Sequence, residues 1–181
     1  MSGLVVRRAV AADAATIADI HCRSRRATYR GLLPDDYLDR RLPAEIGPFW
    51  EARLHELDAG AGAALIAERD GSAIAFVCLE VPDAGGSVLV DNLHARPERK
   101  GEGAGSALLD AAEAWARARG AGRMHLLVVE GNEAAMGFYE SRGWVRGARL
   151  HDTGHGMDAR AVRFELPLGE APPNAGVRSE T

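Results

Sequence analysis

The run Arg99-Lys100-Gly101-Glu102-Gly103-Ala104-Gly105-Ser106 places glycine at every second position from 101 to 105. That spacing lets a backbone turn tightly and present its amides unobstructed by side chains. Ahead of a helix, whose N-terminal end is the positive pole of its dipole, it makes an anion site suited to pyrophosphate. A Walker loop would end in Gly-Lys-Ser/Thr, but Gly105 is followed by Ser106 and Ala107. A dinucleotide fingerprint would need a further glycine where Ser106 stands. Taken alone, the glycines also suit a plain connecting turn. His151 and His155 stand four apart, as on a zinc helix. Asp152 replaces the glutamate of that motif and Gly154 disfavours a helix, so a hairpin loop is expected and no metal. Cys22 and Cys78 are too few for a disulfide framework and read as reduced, buried thiols.

The elements that must position such a loop follow from periodicity. Gly3 to Arg8 reads as a first strand, and Asp13 caps a helix with Ile17, Ile20 and His21 at helical spacing, running toward Arg26. Asp35 or Asp36 starts a short second helix through Leu38. Pro43 and Pro48 punctuate the next segment, and Phe49 to Leu57 is helical again. Ala63–Glu68 and Ser72–Val81 are strands joined by the hairpin signal Asp70-Gly71. After a turn at Pro82–Gly86, Ser87–Ala95 is a strand leading to the glycine loop. Leu108, Leu109, Ala112, Trp115 and Ala116 then form one helical stripe. Arg123–Glu130 suits a sheet centre. Asn132 caps a helix carrying Met136, Phe138 and Tyr139 that Gly143 ends, and Trp144–Leu150 with Ala161–Leu166 forms a closing antiparallel pair. The expected fold class is α/β (α+β). Residues 1–168 form one domain around a mixed, mostly antiparallel sheet of about six or seven strands, and 169–181 is a polar tail.

Composition narrows the function. The chain has 181 residues, enough for one domain with its own core. Lys plus Arg number 22 against 26 Asp plus Glu, a formal charge of −4. That balance argues against a nucleic-acid partner. No opening segment reads as a signal peptide and no apolar run reaches membrane-spanning length, so a cytoplasmic protein without a membrane partner is expected.

The spacing Lys100-x-x-Gly103-x-Gly105 resembles the (Arg/Gln)-x-x-Gly-x-(Gly/Ala) loop of the GNAT acyltransferases. Leu93-His94-Ala95-Arg96-Pro97-Glu98 resembles the family's fourth strand and its exit. Gly131-Asn132-Glu133-Ala134-Ala135-Met136-Gly137-Phe138-Tyr139-Glu140-Ser141-Arg142-Gly143-Trp144 resembles its later motif. The resemblance is specific over Val88–Trp144 and covers the element order of Leu4–Leu168. Two positions depart from the pattern. Lys100 keeps the charge but not the guanidinium fork, and Ala95 stands where Val is common.

The resemblance implies a sheet splayed between its fourth and fifth strands, acetyl-CoA as cofactor, and transfer of acetyl to a primary amine by direct attack in a ternary complex. The cofactor would be held by Leu93, His94, Ala95, Lys100, Gly101, Glu102, Gly103, Ala104, Gly105, Ser106 and Asn132, the amides near Leu93 and Ala95 polarising the thioester carbonyl. Asn132 serves equally as a helix cap. A tyrosine phenol near pKa 10 is protonated at neutral pH, which makes Tyr139 the candidate general acid for the departing thiolate. For the general base, Asp91 leads over His94, Glu80 and a water chain. Residues 91 and 94 have opposite parity in an ideal strand, so the choice depends on a bulge. Tyr29, Asp35 and Asp36 are candidates for the acceptor wall, where carboxylates would favour a cationic amine. A homodimer is compatible with this reading. Its rivals are a non-catalytic CoA-binding sensor, a protein N-terminal transferase, and a transferase of another acyl group.

Overall fold

The structure, a computed structural model, describes residues 3–31, 33–152 and 159–169. Seven strands form one sheet in the order β1-β2-β3-β4-β5-β7-β6. They are β1 (Val5–Arg8), β2 (Gly62–Arg69), β3 (Ser72–Glu80), β4 (Ser87–Ala95), β5 (Arg123–Val129), β6 (Val145–Asp152) and β7 (Ala159–Pro167). All neighbours are antiparallel except β4 and β5. The β2–β3 hairpin turns on Asp70 and Gly71, both at positive φ (54° and 73°), the backbone that a two-residue turn with the twist of its strands requires.

Helices cover both faces. On one lie α1 (Ala14–Tyr29) and α2 (Leu42–Glu56), which bury Ile17, Ile20, Leu42 and Trp50 against Phe76 and Cys78. On the other lie α3 (Ala104–Arg117) and α4 (Glu133–Ser141). There Leu108, Leu109 and Met136 pack on Val77, Met124 and Phe164. Each large side chain sealed in these two cores contributes roughly 1.5–3 kcal/mol of transfer free energy.

One expectation fails at Pro48. It lies inside α2, which runs unbroken from Leu42, while the segment after Pro34 continues through a π-helical turn (Tyr37–Arg41) into that helix. Proline removes one ladder bond and crowds the preceding turn. Leu42, Ile46, Trp50 and Leu54, spaced four apart and all buried, supply the packing that outweighs it. His151 sits on β6, whereas His155, Gly154, Leu32 and the tail beyond Gly169 lie outside the described residues.

Two irregularities in β4 set up the site. Its pairing with β5 covers three residue pairs, Ser87–Leu89 with Arg123–His125, after which the strands part. Against β3, Val90 faces Leu79 and Asn92 faces Cys78, so Asp91 is an extra residue, a bulge.

Candidate active site

Where β4 and β5 part, a cavity of about 710 Å³ opens, lined by β4 from Leu89 to Ala95, by the glycine loop, by α4 and by the second half of α1.

The loop side is built from backbone. Gly101 and Gly103 adopt φ of +87° and +82°, conformations that side chains resist. The first backbone bond beyond them runs from the Ala107 amide to the Gly103 carbonyl at 3.0 Å. The amides from Gly101 to Ser106 therefore have no acceptor within the described chain, and they converge at the positive end of α3. A Cβ on Gly105 would come within 3.2 Å of the Phe138 ring, so glycine there lets α3 and α4 close up. Lys100 lines the cavity and is exposed. Glu102 does not line it. Its carboxylate sits between Arg69 and Arg99, and the Arg69 Nη2 also donates to the Glu102 carbonyl at 2.9 Å. That pairing braces the loop from outside.

The parted edge of β4 adds donors. The Arg96 amide bonds the Ile74 carbonyl on β3 at 2.8 Å. Strand alternation then turns the Leu93 and Ala95 amides the other way, toward the gap.

Tyr139 stands at the cavity with 8% of its surface exposed, edge-on to Trp144 and Phe138. Burial, with the Tyr29 phenol adding to it, holds its phenol well above the ordinary tyrosine range. Its proton stays on at physiological pH. The Asn132 side chain accepts from the Ala135 amide at 3.2 Å as the cap of α4, and the residue also lines the cavity. Burial likewise raises the Tyr29 phenol, which Arg25 and a hydrogen bond with Asn132 partly offset.

The bulge removes the parity conflict between Asp91 and His94. Two residues, Asp91 and Asn92, oppose Cys78, and His94 opposite Phe76 follows on the same face. The Asn92 side-chain amide donates to the Asp91 carboxylate at 2.7 Å. His94 Nδ1 lies 3.0 Å from Ser24 Oγ, and its ring stacks on His21 with centroids 4.3 Å apart. His21 in turn accepts from the Trp50 indole N–H at 3.0 Å through Nδ1. An indole can only donate, so that bond requires Nδ1 of His21 to be bare.

The α1 side of the cavity holds one of the three residues expected on an acceptor wall. Tyr29 lines the cavity, but Asp35 and Asp36 do not. They are exposed and paired with Arg30 at 2.8 Å and Arg40 at 3.3 Å. Beside Tyr29, that side of the cavity is lined by His21, Ser24, Arg25 and Thr28 of α1. These residues continue the stripe of Ile17 and Ile20 at helical spacing. Helical spacing with Ile17 and Ile20 puts His21 on that stripe from the sequence alone, and nothing local marks the other three. Glu80, the remaining base candidate, is not at the cavity and pairs with Arg53 at 3.1 Å. Among the described residues no cluster of three or more His, Cys, Asp or Glu could hold a metal, and no helix is long and apolar enough to cross a membrane.

The acetyltransferase (GNAT) family model matches residues 24–144. The chain belongs to the GNAT family. The family is one of acetyltransferases, and the unclaimed amides of the loop have the donor chemistry that a pyrophosphate requires. This GNAT domain is similar to the PaiA N-acetyltransferase of Thermoplasma acidophilum in complex with coenzyme A. The two share 18% identity with a TM-score of 0.75, over 91% of this chain and 99% of that one. It is also similar to a GCN5-related N-acetyltransferase from Rhodopseudomonas palustris, at 25% identity and TM-score 0.75 over 92% and 97%. A third relative is yncA of Salmonella typhimurium with acetyl-CoA, at 24% identity and TM-score 0.67 over 97% and 100%. No curated protein matches the chain.

Proposed function

We propose that this GNAT chain moves an acetyl group to the primary amine of a small molecule, by direct attack with both substrates bound. The observation that carries the reading is one cavity joining the loop amides, the open β4 edge and Tyr139 to a polar wall on α1. When bound, acetyl-CoA supplies the acetyl group activated as a thioester. The amides of Gly101–Ser106 hold the pyrophosphate, with Lys100 adding charge. The Leu93 and Ala95 amides act as fixed donors where negative charge develops on the carbonyl oxygen. Asp91 at the bulge takes the proton the amine must lose, and Tyr139 supplies one as the carbon–sulfur bond breaks.

A covalent acyl-cysteine route finds no support. Neither cysteine lines the cavity. Burial, reinforced by the Asp91 charge, pushes the Cys78 thiol up to about 12, and burial raises the Cys22 thiol too. Neither is a thiolate at neutral pH, and the thiolate is the nucleophile.

Calorimetry with CoA and acetyl-CoA turnover against a panel of amines test the function together. Binding with turnover of at least one small amine is expected. Binding with no turnover of any amine would replace this reading by a CoA-binding sensor, and absence of binding would end it. For the base, Asp91→Asn should remove the acidic limb of the pH–rate profile, whereas His94→Gln should leave it. The reverse result would pass the role to His94.

A further inference from the structure

Arg25 is 4% exposed, yet among the described residues it has no carboxylate within ion-pair distance and donates no hydrogen bond. Its neighbours differ. Arg23 pairs with Asp19 at 2.9 Å, Arg26 donates to the Leu38 carbonyl at 3.0 Å, and Arg30 holds Asp35 at 2.8 Å. The Arg25 guanidinium lies over the Tyr29 ring, whose centroid is 5.9 Å away.

A guanidinium never gives up its proton in a protein, and burying it without a counter-charge is among the costlier choices a fold can make. Here the group is not sealed in the core. Arg25 lines the cavity, and its nitrogens are absent from the set of shut-in polar atoms.

The charges around it leave room for an anion. Arg99, the other arginine at the cavity, is engaged by Glu102, and Lys100 belongs to the loop. Among the described residues Asp91 is the one acidic residue on the lining, and its carboxylate accepts from the Asn92 side-chain amide. The carboxylates expected to welcome a cationic amine, Asp35 and Asp36, lie elsewhere. Ser24, just before Arg25, and Thr28, one turn after it, also line the cavity and add hydroxyls.

From this we infer that, if the chain acetylates a small amine as proposed above, that amine also carries an oxyanion, and Arg25 is the residue that selects it. The guanidinium fork matches a carboxylate with two parallel bonds and serves a phosphonate through the same donors. The acceptor class is then an amino acid or an aminoalkylphosphonate rather than a polyamine or a simple alkylamine.

The test compares matched acceptors at saturating acetyl-CoA: glycine, leucine, methionine, phenylalanine and glutamate, each against its amide, and 2-aminoethylphosphonate against ethanolamine. Preference for the oxyanion in kcat/KM by about 10- to 100-fold is expected, and the two arms tell carboxylate from phosphonate. A second readout needs no turnover: binding of the N-acetyl amino acids against their methyl esters, measured calorimetrically on the CoA complex. Arg25→Gln should erase the preference in both readouts, and Arg25→Lys should restore part of it. Equal use and equal binding of oxyanion and neutral partners by the unaltered protein would overturn the inference, even where Arg25→Gln fails to fold. Loss of CoA affinity in Arg25→Gln would assign the arginine to the cofactor and overturn it as well. Failure of the unaltered protein to bind CoA is a different outcome, because it would remove the acetyl-transfer reading and this inference with it.

Discussion

The two walls of the cavity recognise by different means. On the loop side the donors are peptide amides, at Gly101–Ser106 and along the edge of β4, and side chains are kept out of the way. On the α1 side the backbone is fully engaged in helix, and everything that faces the cavity is a side chain: His21, Ser24, Arg25, Thr28 and Tyr29. A backbone site suits a part of the ligand that never changes. A side-chain site can be rewritten residue by residue without touching the fold.

The largest effect that sharpens this contrast is expected at Tyr139, between the walls. Tyr139→Phe keeps the ring and its packing and removes only the hydroxyl that carries the proton. Steady-state kinetics should show kcat lower by about 10²–10⁴-fold with acetyl-CoA affinity nearly intact. The penalty should shrink with acyl donors whose leaving thiol is more acidic. Because the phenol is held above its usual range, Tyr139 should put no alkaline limb into the profile below about pH 10. A loss within about threefold would give the proton to water.

Gly105→Val strikes the backbone wall. The added carbon would press on Phe138, 3.2 Å from an ideal Cβ, and displace the loop or α4. CoA affinity measured by calorimetry should fall by about 10- to 100-fold, more than the amine KM changes. An unchanged affinity would break the assignment of the loop.

The glycine loop was legible in the sequence because backbone recognition needs glycine at set positions, and that leaves a pattern. The loop residues and Tyr139 accordingly lie together at the cavity, apart from Glu102, whose exclusion depends on Arg69 reaching over from β2. The strands and the hairpin at Asp70-Gly71 were legible for the same local reason. The α1 wall was not. A polar residue in an inward stripe looks like any helix residue until the sheet beneath it is seen to part, and that parting involves residues far apart in the chain. The bulge at Asp91 had no local signal either, since it is a mismatch between β3 and β4. Pro48 misled because a local rule lost to packing.

Smaller effects probe how firmly the side-chain wall is held. Trp50→Phe removes the donor to His21 Nδ1 from a buried pair. The cost should be about 1–3 kcal/mol of stability by denaturant titration. CoA affinity should stay close to that of the parent, because the loop wall does not touch Trp50. Equal damage to both would mean that the walls are not independent.

The smallest effect is expected at the start of α1. Arg7 at 2.8 Å holds Asp13 below the usual carboxylate range, with its hydrogen bond the main cause. A depressed carboxylate stabilises above its unfolded pKa and loses that contribution as pH falls through the folded value. Asp13→Asn should therefore cost up to about 1 kcal/mol at pH 7. The gap to the parent should close below about pH 4 in thermal melts recorded across pH.

The short β4–β5 ladder has a mechanical meaning. Three residue pairs of ladder join β1–β4 to β5–β7–β6, so the sheet itself is two panels joined along a short seam. A ligand arm lying against the Leu93 and Ala95 amides would act as a splint across that opening. Amides at the tips of β4 and β5 should then exchange with solvent faster than those at the seam, and slow when CoA is added. Tension that peels the panels apart beyond Leu89 would then load the bound cofactor together with the α3 and α4 packing that spans both panels.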